Sequence, residues 1–264
     1  MSNPAETYEQ KMVPIVFAPC VPWLMEAAPP QPGERVLDLA CGTGIVAREA
    51  ARRVGESGQV VGCDLNPAML AVARACAERE GLRIEWHEGR AEALSFGDGS
   101  FDLLFCQHGL QFVPEKLQAL AEMRRVLRED GRLALSVWRG LDHHPFIAGF
   151  NEVITRHLGV PALAAPFSLG NAGELRTLLT EAGFQEVEIA PHSITARFPN
   201  PEGFVRMQMD VVGAAIPSAQ HLDWEARERL AAAMGAEMTG PIQDATRDQQ
   251  LVIPFHGYVA SVRR

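Results

Sequence analysis

RVLDLACGTG, Arg35 to Gly44, runs through apolar residues, meets an acid at Asp38 and ends in a glycine turn. Val36, Leu37 and Leu39 suit a short buried strand, and a glycine turn directly after a strand lets backbone N–H groups approach a ligand. The next ten residues, IVAREAARRV (45–54), place Ile45, Val46, Ala50 and Val54 on one helical face. QVVGC (59–63) reads as a second strand. In NPAMLAVARACAERE (66–80), Asn66 suits an N-cap, Pro67 the first helical position, and Met69, Val72, Ala73 and Cys76 the inward stripe.

Further along, LRIEWHEG (82–89) and FDLLFCQ (101–107) are predicted strands. KLQALAEMRRVLRED (116–130) is a helix stopped by Gly131, and RLALSVW (132–138) a strand. Strand and helix alternate through Trp138, which is the pattern of an open, doubly wound α/β sheet with its ligand beyond the carboxyl ends of the strands. After residue 140 the rhythm loosens. NEVITRHLG (151–159), ELRTLLTEAGF (174–184), PEGFVRMQMDVV (201–212) and WEARERLAAAMGAEM (224–238) read as helices. EVEIAPHSITARF (186–198) and QQLVIPFHGYVASVRR (249–264) read as strands that complete the sheet.

The 264 residues, 47% hydrophobic and 22% charged, suit one globular domain, or one domain with a cap. The apolar stretch 13–30 is broken by Pro14, Pro19 and Pro22, which suits neither a signal peptide nor a membrane span. It is expected to pack on the body of the protein, and the expected location is the cytoplasm. The five cysteines, at 20, 41, 63, 76 and 106, form no CxxC pair, which argues for reduced thiols and against a structural metal site. A net charge of −9 disfavours a nucleic-acid partner. The basic patch MRRVLR (123–128) lies among Glu122, Glu129 and Asp130 and reads as a solvated helix face.

GTGIVA (Gly42 to Ala47) matches the dinucleotide fingerprint G-x-G-x-x-G/A, with Asp64 20 residues past Gly44. Two unrelated cofactor classes share that signal, and Asp38 separates them. A carboxylate at the end of the first strand would oppose a pyrophosphate in a low-dielectric cleft. It suits a cofactor that carries an ammonium and a sulfonium and has no phosphate. Asp38 is also placed to cap nearby backbone N–H groups, which is compatible with that role.

VLDLACGTG, VVGCDLNPAML, GRAEALSFGDGSFDLLFCQHGLQFV and AEMRRVLREDGRLALSVW, in this order over about residues 35 to 138, resemble the successive motifs of class I S-adenosylmethionine (SAM)-dependent methyltransferases. The likeness is nearest to the small-molecule branch typified by ubiquinone/menaquinone biosynthesis C-methyltransferases. It implies a seven-stranded Rossmann-like sheet with a late antiparallel strand and a small helical lid. On that reading 1–34 is an N-terminal lid segment, 35–198 the SAM-binding core, 199–248 a helical cap over the substrate, and 249–264 the final strand. The resemblance also implies that backbone from Ala40 through Gly42 to Gly44 wraps the methionine part of S-adenosyl-L-methionine and that Asp38 orients its amino group. Asp64 would accept the ribose hydroxyls, Leu65 and Met69 would flank the adenine, and Ala91 would offer its N–H. Position 90, where the family has an acid, is Arg90, which only donates and would stack on the ring or turn outward.

Methyl transfer from a sulfonium is an in-line displacement, and a phenol or enol acceptor calls for a nearby base. His108 follows the fourth strand and is the first candidate, with a loop histidine as the plain alternative. Gln107 is expected on the methionine part. His143 and His144 are further candidates on the same rim, read otherwise as a solvated loop pair, and no carboxylate or cysteine set joins them as metal ligands. Tyr8 and Phe17 are expected to close the entrance. Cys106, in FCQ, lacks the proline of a PCQ nucleophile and is expected to be a buried thiol. Phe204, Val205, Met207, Met209, Val212 and Phe255 offer an adaptable apolar surface for an acceptor, or ordinary helix packing. The expected partner is therefore an apolar small-molecule methyl acceptor, with no nucleic acid and no membrane span. The same glycines and Asp64 also suit an NAD-dependent oxidoreductase, and a non-catalytic SAM-binding module is the third reading.

Overall fold

A computed structural model describes residues 3–212 and 222–264, without the Val212 side chain, so the sequence-based role of Val212 lies outside the described residues. The chain starts helical from 4 to 27. α1 (Pro4–Thr7) leads into a π-helical stretch, Tyr8–Phe17, that contains Pro14, then a 3-10 turn, Ala18–Cys20, and α2 (Val21–Ala27). The alternating part follows as β1 (Arg35–Leu39), α3 (Ile45–Val54), β2 (Gln59–Asp64), α4 (Pro67–Arg79), β3 (Glu85–Glu88), β4 (Phe101–Gln107), α5 (Lys116–Val126) and β5 (Leu127–Trp138). The remainder is α6 (Pro145–Leu158), α7 (Ala172–Glu181), β6 (Gln185–Phe198), α8 (Phe204–Val212), α9 (Trp224–Ala245), the short β7 (Thr246–Arg247) and β8 (Gln250–Arg263).

The strand order is β3-β2-β1-β4-β5-β8-β6, with β7 paired to β8. β3, β2, β1, β4 and β5 run parallel, while β8 is antiparallel to both β5 and β6. The expected late antiparallel strand is thus β8, inserted between β5 and β6. Strand order reverses at β1, so the carboxyl ends of β1 and β4 flank the crevice where such sheets bind ligands. One face of the sheet, with Val36, Phe105, Ala134 and Trp138, packs under the N-terminal segment, α3, α6 and α9. The other, with Leu37, Leu104, Leu133 and Leu135, packs under α5 and α7. No helix among the described residues is long and apolar enough to cross a membrane.

Asn66 caps α4 by accepting the Ala68 N–H at 2.9 Å, with Pro67 in the first turn, as the sequence predicts. Several boundaries differ. α5 ends at Val126, because Leu127 is fully buried, takes an extended conformation and pairs with Phe101 of β4. α6 begins at Pro145 rather than 151, drawn into the helix by burial of Ile147 and Phe150. α9 continues through Pro241 to Ala245, with Ile242 buried in its last turns. The basic patch is tied down rather than merely solvated. Arg124 Nε donates to the Gly183 carbonyl at 3.0 Å, Arg125 pairs with Glu122 and Asp98, and Arg128 pairs with Asp102.

Trp86 of β3 covers the inner strands. A Cβ on Gly62 of β2 would sit 2.3 Å from its Cζ3, and one on Gly44 2.5 Å from its Cη2. Gly44 also has φ +80°, a second reason for glycine at that position. Gly62→Ala is expected to lose about 1–3 kcal/mol in urea unfolding through overpacking. In a double-mutant cycle with Trp86→Leu the loss should be smaller than the sum of the two single changes.

Candidate functional site

The crevice is built around two acids. Asp38, at the end of β1, is almost wholly buried, and its Oδ2 accepts the Ala47 N–H at 2.9 Å. Burial, with Asp64 close by, pushes its carboxyl up to about 8 despite the Ala47 bond and the Arg48 charge. Asp64, at the end of β2, accepts the Gly42 N–H on Oδ2 and the Asn66 N–H on Oδ1, both at 2.8 Å. Its carboxyl is likewise raised, chiefly by burial. Between the acids the turn holds Ala40 at φ 54°, Gly42 at 54° and Gly44 at 80°. An alanine at positive φ is uncommon and marks a backbone held by its surroundings. The Thr43 hydroxyl is buried in this turn without a partner among the described residues.

The N-terminal segment lies directly over this turn. A cavity of about 30 Å³ is lined by Tyr8, Phe17, Asp38, Ala40, Thr43 and Gln107, among others. Gln107 Nε2 donates to the Phe17 carbonyl at 2.8 Å, and the Tyr8 and Phe17 rings lie 5.1 Å apart. Both aromatics therefore line this cavity. Arg48 of α3, 3% exposed, ties the two layers together. It pairs with Glu9 at 2.9 Å and Glu80 at 3.2 Å, and donates to the Thr43 carbonyl at 2.6 Å. The cavity has about the share of liquid volume that one water takes.

Beyond β2 and β3, Leu65 is 57% exposed next to Asp64. Met69 is half-buried against Ala5, Val72 and Cys76, and Ala91 is half-buried on the second core. Arg90 turns outward and pairs with Glu92 at 3.2 Å.

The histidines divide. His108, at φ 49° and 5% exposed, stacks on Trp138 with 3.8 Å between ring centroids and meets the edge of Phe17 at 6.1 Å. Burial lowers its pKa to about 3, which opposes the role of a general base near neutral pH. His144 is buried and fully engaged. Its Nδ1 faces the Gly140 carbonyl at 3.0 Å and its Nε2 accepts the His256 N–H at 2.9 Å, so neither nitrogen is left to take a proton. The half-buried His143 accepts from Arg139 Nη2 through Nε2 at 2.8 Å. It lines a separate cleft of about 360 Å³ with Asn171, Glu174 and Tyr258, away from Asp38.

Phe204, Val205 and Met209 are core residues rather than an acceptor surface, and the Phe204 ring packs on Phe146, Phe150 and Phe198 at 5.1–5.6 Å. Met207 is partly buried against the same cluster. Phe255 is buried in the same core, its ring 5.2 Å from Trp138. Cys106 is buried, its thiol pushed up to about 12 by burial, and is unsuited to nucleophilic attack. Sequence reasoning missed Arg48. Nothing local distinguishes it from Arg52 and Arg53, since its partner Glu9 lies 39 residues away in the chain.

A methyltransferase-domain family model matches residues 36–131. The 2-phytyl-1,4-naphtoquinone methyltransferase of Synechococcus elongatus is 40% identical over 141 residues, covering 51% of this chain but only 58% of that protein. The ubiquinone/menaquinone biosynthesis C-methyltransferase UbiE of Shewanella sp. strain ANA-3 is 31% identical over 181 residues, covering 63% of this chain and 72% of that protein. In overall fold the chain is similar to phosphoethanolamine N-methyltransferase 2 of Haemonchus contortus, at a TM-score of 0.61 and 19% identity, over 98% of this chain and 56% of that one. With the strand order and the two strand-end acids, these likenesses identify the chain as a member of the class I SAM-dependent methyltransferases.

Arg48→Met removes the cation shared by the strap and the turn and leaves Glu9 without its charge partner. Urea unfolding is expected to show a loss of about 3–5 kcal/mol. Hydrogen exchange at the amides of residues 8–17 should speed up together with it.

Proposed function

We propose that the protein transfers a methyl group from SAM to carbon or oxygen of an apolar small molecule. The observation that carries this reading is the buried Asp38 carboxylate beside a backbone turn of positive φ, in a crevice with no cation facing it from the cavity lining. An acid in that position is complementary to a cationic ligand and repels a diphosphate. The donor set fits SAM: Asp38 for the amino group, the Ala40–Gly44 backbone and Gln107 for the methionine part, and Asp64 for the ribose. Leu65, Met69 and Ala91 would border the adenine. The names of the quinone methyltransferase relatives support an apolar acceptor.

Bound SAM supplies an electrophilic methyl group on a sulfonium. The chain's own share is alignment and exclusion of water. Residues 1–34 act as a lid that lifts for cofactor entry and closes over it, with Phe17 and Tyr8 at the mouth and Gln107 exchanging the Phe17 carbonyl for the ligand. Within 199–248, the described helices α8 and α9 cap the acceptor side by packing in one core with Phe255.

Isothermal titration with SAM should give a single site, and Asp64→Ala should remove most of the affinity. Absence of binding to SAM and to S-adenosylhomocysteine would sink the proposal, as would a nicotinamide fluorescence change on titrating NADH. Release of S-adenosylhomocysteine in a screen of phenols and enols separates an enzyme from a binding module.

Asp38 adds a pH signature. Its carboxyl holds a proton up to about pH 8 in the free protein, and a cation beside it favours the ionised form. Cofactor binding near pH 7 should therefore release close to one proton, measurable in buffers of different ionisation enthalpy, and affinity should rise with pH between about 6 and 7.5. Asp38→Asn should abolish this slope and weaken binding about 10–100-fold through loss of a charged hydrogen bond.

A further inference from the structure

At the carboxyl ends of β4 and β5 the fold buries hydrogen-bonding groups that it does not satisfy. Both ring nitrogens of His108, the amide nitrogen and oxygen of Gln111 and the Ser136 hydroxyl have no partner among the described residues. Gln111 is 4% exposed and Ser136 is fully buried. The three residues come from one place. Ser136 is the register partner of Gln107, its carbonyl accepts the His108 N–H at 2.9 Å, and Gln111 follows within the 3-10 turn Leu110–Phe112. Folded proteins leave few buried polar groups unpaired, and such groups concentrate where a ligand or an ordered water completes them.

The surroundings are apolar and aromatic. Trp138 covers one face of the His108 ring, Phe17 meets its edge, and Phe255 lies beyond Trp138. Burial lowers the His108 pKa and keeps the imidazole neutral. A neutral imidazole offers one donor and one acceptor, and a primary amide offers both kinds. Neither compensates a charged ligand, whose burial without a counter-charge is strongly unfavourable.

Resting on the SAM reading of the neighbouring crevice, we propose that His108 and Gln111 form a polar subsite for an uncharged oxygen, hydroxyl or carbonyl, on an otherwise apolar ring of the acceptor. Gln111 is a positioning residue for the acceptor, and Trp138 and Phe255 supply the apolar walls. The subsite selects neutral ring oxygens over amines and carboxylates.

The test uses 2-naphthol, naphthalene and 2-naphthoate as probes in titration calorimetry on the full chain, with and without saturating S-adenosylhomocysteine. One equivalent of 2-naphthol should bind at least tenfold more tightly than naphthalene, and 2-naphthoate should not compete. Gln111→Leu should reduce the preference for naphthol over naphthalene about tenfold while leaving S-adenosylhomocysteine affinity unchanged, and Gln111→Asn should restore part of it. Equal binding of naphthol and naphthalene by the unaltered protein, or no saturable naphthol binding, overturns the subsite without any variant having to fold. An unchanged preference in a folded Gln111→Leu protein overturns the role of Gln111. Loss of S-adenosylhomocysteine binding by the unaltered protein would instead overturn the reading of the crevice, which the naphthol comparison run without it leaves distinguishable.

Discussion

Asp38 accepts the N–H of Ala47, and Asp64 accepts that of Gly42, so the turn between β1 and α3 is pinned at both ends by buried acids. The N-cap position of α3 is Gly44, which has no side chain to cap the helix. Ala47 is the third residue of that helix, and its N–H is one of the orphan donors of the first turn. Asp38 therefore caps α3 from the neighbouring strand, and the positive end of the helix dipole favours its ionised form once a cation stands beside it. The same carboxylate that holds the fold together at this point is the one that faces the crevice. A carboxylate kept there for the helix alone would be better solvated at the surface. Burial at this position, where it raises the cost of ionisation, makes sense when a cationic ligand offsets that cost.

The strap and the turn share one guanidinium. Arg48 joins the Thr43 carbonyl of the turn to Glu9 of the π-helical stretch and to Glu80 after α4. The turn and the N-terminal segment are therefore coupled through a buried, charge-assisted contact. A π-helical stretch that contains a proline is an unusual conformation and is often found at functional sites. Its second carboxylate oxygen, Glu9 Oε2, is buried without a partner among the described residues. The segment is thus tied firmly at Arg48 and incompletely satisfied at Glu9 Oε2.

The alternating half of the fold was legible because its signals are local. Apolar runs of strand length, the Asn66–Pro67 helix start and the glycine turn each declare themselves within a few residues. The two acids were legible for the same reason, since each closes a strand. What escaped was decided by distant partners. α5 reads as continuous through Asp130, and only the pairing of Leu127 with Phe101 ends it at Val126. His144 looks like a loop histidine beside His143, and its role is set by the His256 N–H, 112 residues away in the chain. Phe204, Val205 and Met209 have the periodicity of a surface that meets a ligand or of one that meets a core. Burial of all three in the core, with the Phe204 ring against Phe146, Phe150 and Phe198, decides for the core. Gln111 carries no pattern at all, because an unsatisfied amide is a property of the folded environment.

The state of His108 bears on how the acceptor becomes nucleophilic. A ring stacked on Trp138 and sealed by Phe17 takes up a proton only at considerable cost, since burial alone brings its pKa to about 3. It is a weak base but remains a competent hydrogen-bond acceptor. In a displacement at a sulfonium carbon, orientation by itself supplies a large part of the rate. Under the proposed reading the protein therefore contributes geometry, and the acceptor contributes its own electron density. Electron-rich ring carbons beside a hydroxyl, and enolic oxygens, meet that requirement without full proton removal in advance. The neutral polar edge of His108 and Gln111 and the apolar wall of Trp138 favour such rings, so binding selectivity and chemical reactivity make the same demand on the acceptor.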